Sequence, residues 1–133
     1  KGVGVIGMCI TGNFAIQLIG DESVLAAVAS QPAMPFFKQG NLHMSSDDIE
    51  QSRNALDVKG PMRVLRFEDD PLCTQEKSKC VHRAFNDDSN IRVQEITLPG
   101  RGHSVLTLDF VDQSGHPTRE ALDNVIQYFD SHL

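Results

Sequence analysis

The chain has 133 residues and a net charge of −6, with 40% hydrophobic and 23% charged residues, the balance of one globular domain with a single core. It holds no block of Lys and Arg, which argues against nucleic acid or an anionic membrane as partners, since both require a basic face. No apolar run approaches the length of a membrane span, and no signal-peptide pattern is present.

In chain order, the short apolar run Val3-Gly4-Val5-Ile6 reads as a first strand. It begins almost directly after Lys1, which fits a piece of a longer or processed chain, because natural termini tend to be loose and polar. A helix follows, with Phe14, Ile16, Leu18 and Ile19 as its apolar surface and Gly20-Asp21 as its stop. The continuous run Val24 to Ala29 suits a strand buried on both faces. Pro32 and Pro35 then break the chain, so 31–44 reads as a loop. Ser45-Ser46-Asp47-Asp48 is a helix start that reaches about Leu56. After Gly60-Pro61 comes a third strand, Met62 to Phe67, then a polar turn, then a helix capped by Thr74 and running to about Phe85. Ile91 to Leu98 alternates as a fourth strand. Pro117 opens a last helix, with Leu122, Val125, Ile126, Phe129 and Leu133 on one face. Strands alternating with helices imply a parallel sheet with crossover helices, an α/β fold.

In such a sheet, active residues gather beyond the carboxyl ends of the strands. Cys9 follows the first strand, in Gly7-Met8-Cys9-Ile10-Thr11-Gly12, where a sharp strand-to-helix turn would present a nucleophile. The Ile10 N–H would be one donor to an oxyanion. The plain alternative is a buried cysteine beside a glycine turn. The Asp69-Asp70 pair follows the third strand, and alone it reads as a solvated turn. His103 follows the fourth, in Gly102-His103-Ser104; His43, His82, His116 and His132 show how common an unremarked histidine is. Together, nucleophile, acid and base occur in the order Cys9, Asp70, His103, which is the α/β-hydrolase order.

On the elbow at Cys9, the segment Leu65-Arg66-Phe67-Glu68-Asp69-Asp70-Pro71-Leu72 and the Gly102-His103-Ser104 loop, the chain resembles the C-terminal portion of the dienelactone hydrolase family. The resemblance extends into the last helix, so 1–133 would be the C-terminal part of one α/β-hydrolase domain. It implies hydrolysis of a small-molecule ester or lactone by a Cys-His-Asp triad of Cys9, His103 and Asp70, with Asp69 the second choice of acid and Gly7 and Gly12 shaping the elbow. It implies no metal and no organic cofactor. The family usually has glycine two residues after the cysteine; here Thr11 stands there, where a β-branched side chain would crowd helix against strand. An arginine that helps hold the substrate carboxylate in dienelactone hydrolase itself is replaced by Thr107. The family's earlier strands, which bring a second oxyanion donor and a glutamate that interacts with the cysteine, have no counterpart in these residues.

Other readings compete. Gly2-Val3-Gly4-Val5-Ile6-Gly7 matches the glycine pattern of a dinucleotide site, with Asp21 downstream, but only Lys1 precedes it. Asp109, Asp112 and His116 match no defensible metal spacing. Cys73 and Cys80, seven apart, fall on one helix face, where packing accounts for them. Three cysteines without paired spacing suit reduced thiols and hence a cytoplasmic location. A hydrolase-like domain that only binds, or a truncated inactive one, is the non-enzymatic alternative.

Overall fold

The computed structural model describes residues 1–133. Four strands, β1 (Val3–Met8), β2 (Val24–Ser30), β3 (Met62–Phe67) and β4 (Val93–Leu98), form one parallel sheet in the order β1-β2-β3-β4. Helices α1 (Ile10–Leu18), α2 (Ser46–Lys59) and α3 (Gln75–Phe85) make the crossovers, and α4 (Pro117–His132) closes the chain. This is the expected α/β architecture, a partial α/β-hydrolase fold.

The sheet separates two apolar cores. On one face Ile16, Ile19, Leu56, Val81 and Phe85 of the three crossover helices pack on Ala27, Ala29, Met62, Val64 and Val93. On the other, Ala121, Val125 and Tyr128 of α4 pack on Ala26, Val28, Leu65, Phe67 and Leu98. Successive β2 residues thus enter opposite cores, as the pleat requires, which is why that strand is apolar throughout.

Local chemistry sets the ends of the elements. Ser45 caps α2 by accepting from the Asp48 N–H, while the Asp48 carboxylate accepts from Ser45 in return. Thr74 caps α3 by accepting from the Lys77 N–H. Gly60, at φ 86°, ends α2 with a backbone geometry that side chains resist.

The ladders differ in length. Strand β1 pairs with β2 over six residues, and so do β3 and β4. Between β2 and β3 only Val28–Ser30 pair with Arg63–Leu65. Before that ladder starts, the Ala27 N–H donates instead to the Tyr128 hydroxyl of α4, at 3.3 Å. The Arg63 guanidinium lies over the same ring, 4.5 Å from its centre.

Several expectations need correction. The apolar core face of α1 is Ala15 and Ile16, continued by Ile19 just past its end, whereas Phe14 and Leu18 are exposed. The core face of α4 includes Ala121 and Tyr128, and Ile126 and Leu133 point to solvent. Apolar residues alone do not locate these faces, because the helical pitch puts other residues against the sheet. Cys73 precedes α3, so it shares no helix face with Cys80. Gly4 and Gly7 of the dinucleotide-like pattern lie inside β1, and the turn that opens α1 is at Cys9. A phosphate loop there has no place to form.

Candidate active site

Cys9 stands between β1 and α1 with φ 54° and ψ −114°, a backbone geometry that non-glycine residues rarely adopt. Three hydrogen bonds hold it. Its N–H donates to Ser30 O at 3.0 Å, and its carbonyl accepts from the Gly12 and Ala33 N–H groups at 3.1 and 3.2 Å. The turn is tight enough to exclude side chains at two neighbours. A Cβ on Gly7 would lie 2.1 Å from Thr11 O, and one on Gly12 would lie 3.0 Å from Pro32 Cα. Thr11 does not crowd the helix. Its hydroxyl turns back to accept from the Met8 N–H and donate to Met8 O, each at 2.8 Å, lacing the elbow from outside. As the first helical residue, Ile10 has no intrahelical acceptor for its N–H, which is free to meet an anion at this end of α1.

The acid turn follows β3. The Asp70 side chain is wholly buried. Its Oδ1 accepts from the Leu72 and Cys73 N–H groups, both at 2.8 Å. His103 Nδ1 lies 3.0 Å from Oδ1 and 2.9 Å from Oδ2. Asp69 is exposed and meets the histidine loop only through its backbone N–H, which donates to Gly100 O at 3.2 Å. Beneath the turn lies Arg66, itself buried. Its guanidinium donates to Glu68 O at 2.8 Å and Cys73 O at 3.0 Å, on either side of Asp70, with Glu95 3.9 Å away as counter-charge. The sequence reading did not single out Arg66, although an arginine between apolar residues of a central strand is a signal of a buried role.

A carboxylate at Nδ1 makes that nitrogen the protonated one and leaves Nε2 with its lone pair. His103 Nε2 is buried and has no hydrogen-bond partner, Cys9 included. A buried polar atom of this kind is costly unless something occupies it in function. Asp70 and His103 are therefore joined, while Cys9, two strands from β3, lies beyond the same carboxyl ends of the parallel strands without a hydrogen bond to either.

The matching family model is that of the dienelactone hydrolases, and it covers residues 1–133. The chain belongs to the dienelactone hydrolase family. Membership in this α/β-hydrolase family points to hydrolysis of ester or lactone bonds and to a small-molecule substrate. A search of the curated proteins found no match.

Next to the turn at Cys9, Ile10, Phe14, Met34 and Met44 line a cleft with Asn13, Gln17 and His43. The loop that walls it is held from inside. The Asn13 side chain accepts from the Met34 N–H at 3.0 Å and donates to Met34 O and Leu42 O at 2.9 and 3.1 Å. Lys77, fully buried, donates to Met34 O and Asn41 O, and burial pulls its ammonium below the usual lysine range. The residues once weighed as metal ligands are dispersed. Asp112 pairs with Arg119, His116 caps α4, and Asp109 bonds to loop N–H groups. No helix is long and apolar enough to cross a membrane.

Proposed function

We propose that the chain hydrolyses a carboxylic ester or lactone through Cys9 as nucleophile, His103 as base and Asp70 as the group that orients the base. The observation that carries this reading is the Asp70–His103 pair, whose geometry leaves a buried Nε2 lone pair unused. The strained backbone at Cys9 and the free Ile10 N–H support it from the other side of the site.

Nε2 must come within hydrogen-bond reach of the thiol, about 2.6–3.2 Å and looser before substrate binds. His103 takes the thiol proton as sulfur adds to the carbonyl carbon. The carbonyl oxygen becomes an oxyanion, supported by the Ile10 N–H at the positive end of α1. Collapse expels the alkoxide, which receives the proton from Nε2, leaving a thioester on Cys9. His103 then takes a proton from water as its oxygen attacks the thioester, and returns that proton to the Cys9 sulfur as the C–S bond breaks and the acid leaves. Asp70 keeps the imidazole in one tautomer and offsets its charge while it is protonated. The cleft lined by Ile10, Phe14, Met34 and Met44 suits an apolar acyl or alcohol portion.

Turnover of 4-nitrophenyl acetate by the chain and by Cys9→Ala and His103→Ala tests the assignment. Both variants are expected to lose activity by about 10³-fold or more. Unchanged turnover in Cys9→Ala removes the nucleophile. Tight ester binding without turnover in the parent favours a domain that only binds.

A further inference from the structure

The histidine loop, from Pro99 to His116, contains no helix or strand, so something other than regular structure must fix the base. One carboxylate does much of this. Asp109 Oδ2 accepts from two successive N–H groups, His103 at 2.9 Å and Ser104 at 2.8 Å. The Asp109 N–H donates back to Ser104 O at 3.1 Å, and the Thr107 N–H donates to the same oxygen. A closed ring of chain from Ser104 to Asp109 results, with the carboxylate at its mouth. Gly102 has no room for a side chain: a Cβ there would lie 2.7 Å from the Phe67 ring and 3.1 Å from Asp109 Oδ2.

The geometry points to Asp109 as a positioning residue for His103: its carboxylate clamps the His103 and Ser104 backbone so that the imidazole meets Asp70. This rests on the reading of His103 as the base, but its test is separable from that reading. Two charge-assisted bonds to adjacent amides fix the origin of the His103 side chain more firmly than neutral ones would. These bonds also hold the Asp109 carboxyl below the usual carboxylate range, so the clamp stays ionised as pH falls. The carboxylates that meet His103 are Asp70 from the turn after β3, at the imidazole, and Asp109 from its own loop, at the backbone. Of the carboxylates, Asp109 alone bonds to the His103 backbone.

The experiment is proton NMR of the full chain, reading the far-downfield Nδ1–H signal of a histidine held on a carboxylate. The parent is expected to show this signal for His103. Asp109→Ala is expected to lose it to solvent exchange, and Asp109→Asn, which keeps an acceptor oxygen, is expected to retain it. In the ester assay Asp109→Ala should lower kcat by about 10²-fold with KM little changed, the effect of a displaced catalytic group. A persisting signal in Asp109→Ala overturns the proposal whatever the activity. Its loss supports the proposal even if His103→Ala proves active, an outcome that defeats only the catalytic reading. Should Asp109→Ala fail to fold, amide exchange in the parent decides: protection of the His103 and Ser104 amides supports the clamp, and exchange as fast as in the exposed Leu108 amide overturns it.

Discussion

The three thiols sit in different settings, and chemistry can separate them. Cys73 is buried beside Asp70, and that burial, reinforced by the Asp70 charge, pushes its thiol up to about 12. Cys80 is buried in the core under α3. Cys9 is half-buried at the elbow. Iodoacetamide at pH 8 is therefore expected to alkylate one thiol in the folded chain, Cys9, and all three in denaturant, as peptide mass spectrometry would report. Native labelling of Cys73 at a comparable rate contradicts this account. At this scale the sequence was read unevenly. The positions of Cys9, Asp70 and His103 past their strands were legible because loops at strand ends follow from the alternation of elements. The choice between Asp70 and Asp69 was not, since adjacent carboxylates differ only in the direction that the turn gives them. Thr11 was misread because its hydroxyl, not its branched carbon, decides where it goes. Asp109 gave no signal, because its partners are backbone groups.

Between elements, α2 and the turn before β4 are joined by charge. Arg92 bonds to Asp57 of α2 at 2.7 Å and to Asp87 at 2.7 Å, and Arg53 of α2 reaches Asp87 at 2.6 Å. The Arg92 guanidinium holds both carboxyls below their ordinary range. Their folded-state affinity for protons is thus weaker than in the unfolded chain. The stability they contribute is complete above the ordinary carboxylate range, near pH 4, and is lost as pH falls through the depressed folded values. Arg92→Ala is expected to flatten the fall in melting temperature between about pH 4 and pH 2, measured by circular dichroism. An unaltered slope counts against the cluster. Strand positions were legible here, since runs such as Met62–Phe67 are bounded by Gly-Pro and by acids. Helix faces were less so. In α1, Asn13 is buried and Phe14 exposed, an inversion of polarity made by the loop carbonyls that Asn13 must satisfy.

At the scale of the molecule, α4 fastens the sheet where its own ladder is short. Tyr128 supplies the acceptor for a β2 amide that β3 does not reach. Tyr128→Phe leaves that amide unpaired in the core and is expected to cost about 1–3 kcal/mol, with faster hydrogen exchange at Ala27. Equal stability and equal exchange would show that the hydroxyl is dispensable. The short ladder between β2 and β3 has a mechanical consequence. The thiol rides on the plate made by β1 and β2, and the carboxylate and imidazole ride on the plate made by β3 and β4. The β2–β3 ladder is three residue pairs long, against six in each plate, so substitutions along it are expected to alter the gap between sulfur and nitrogen. Tyr128, whose hydroxyl meets the Ala27 N–H and whose ring lies under the Arg63 guanidinium, stands at that seam, away from the reacting atoms.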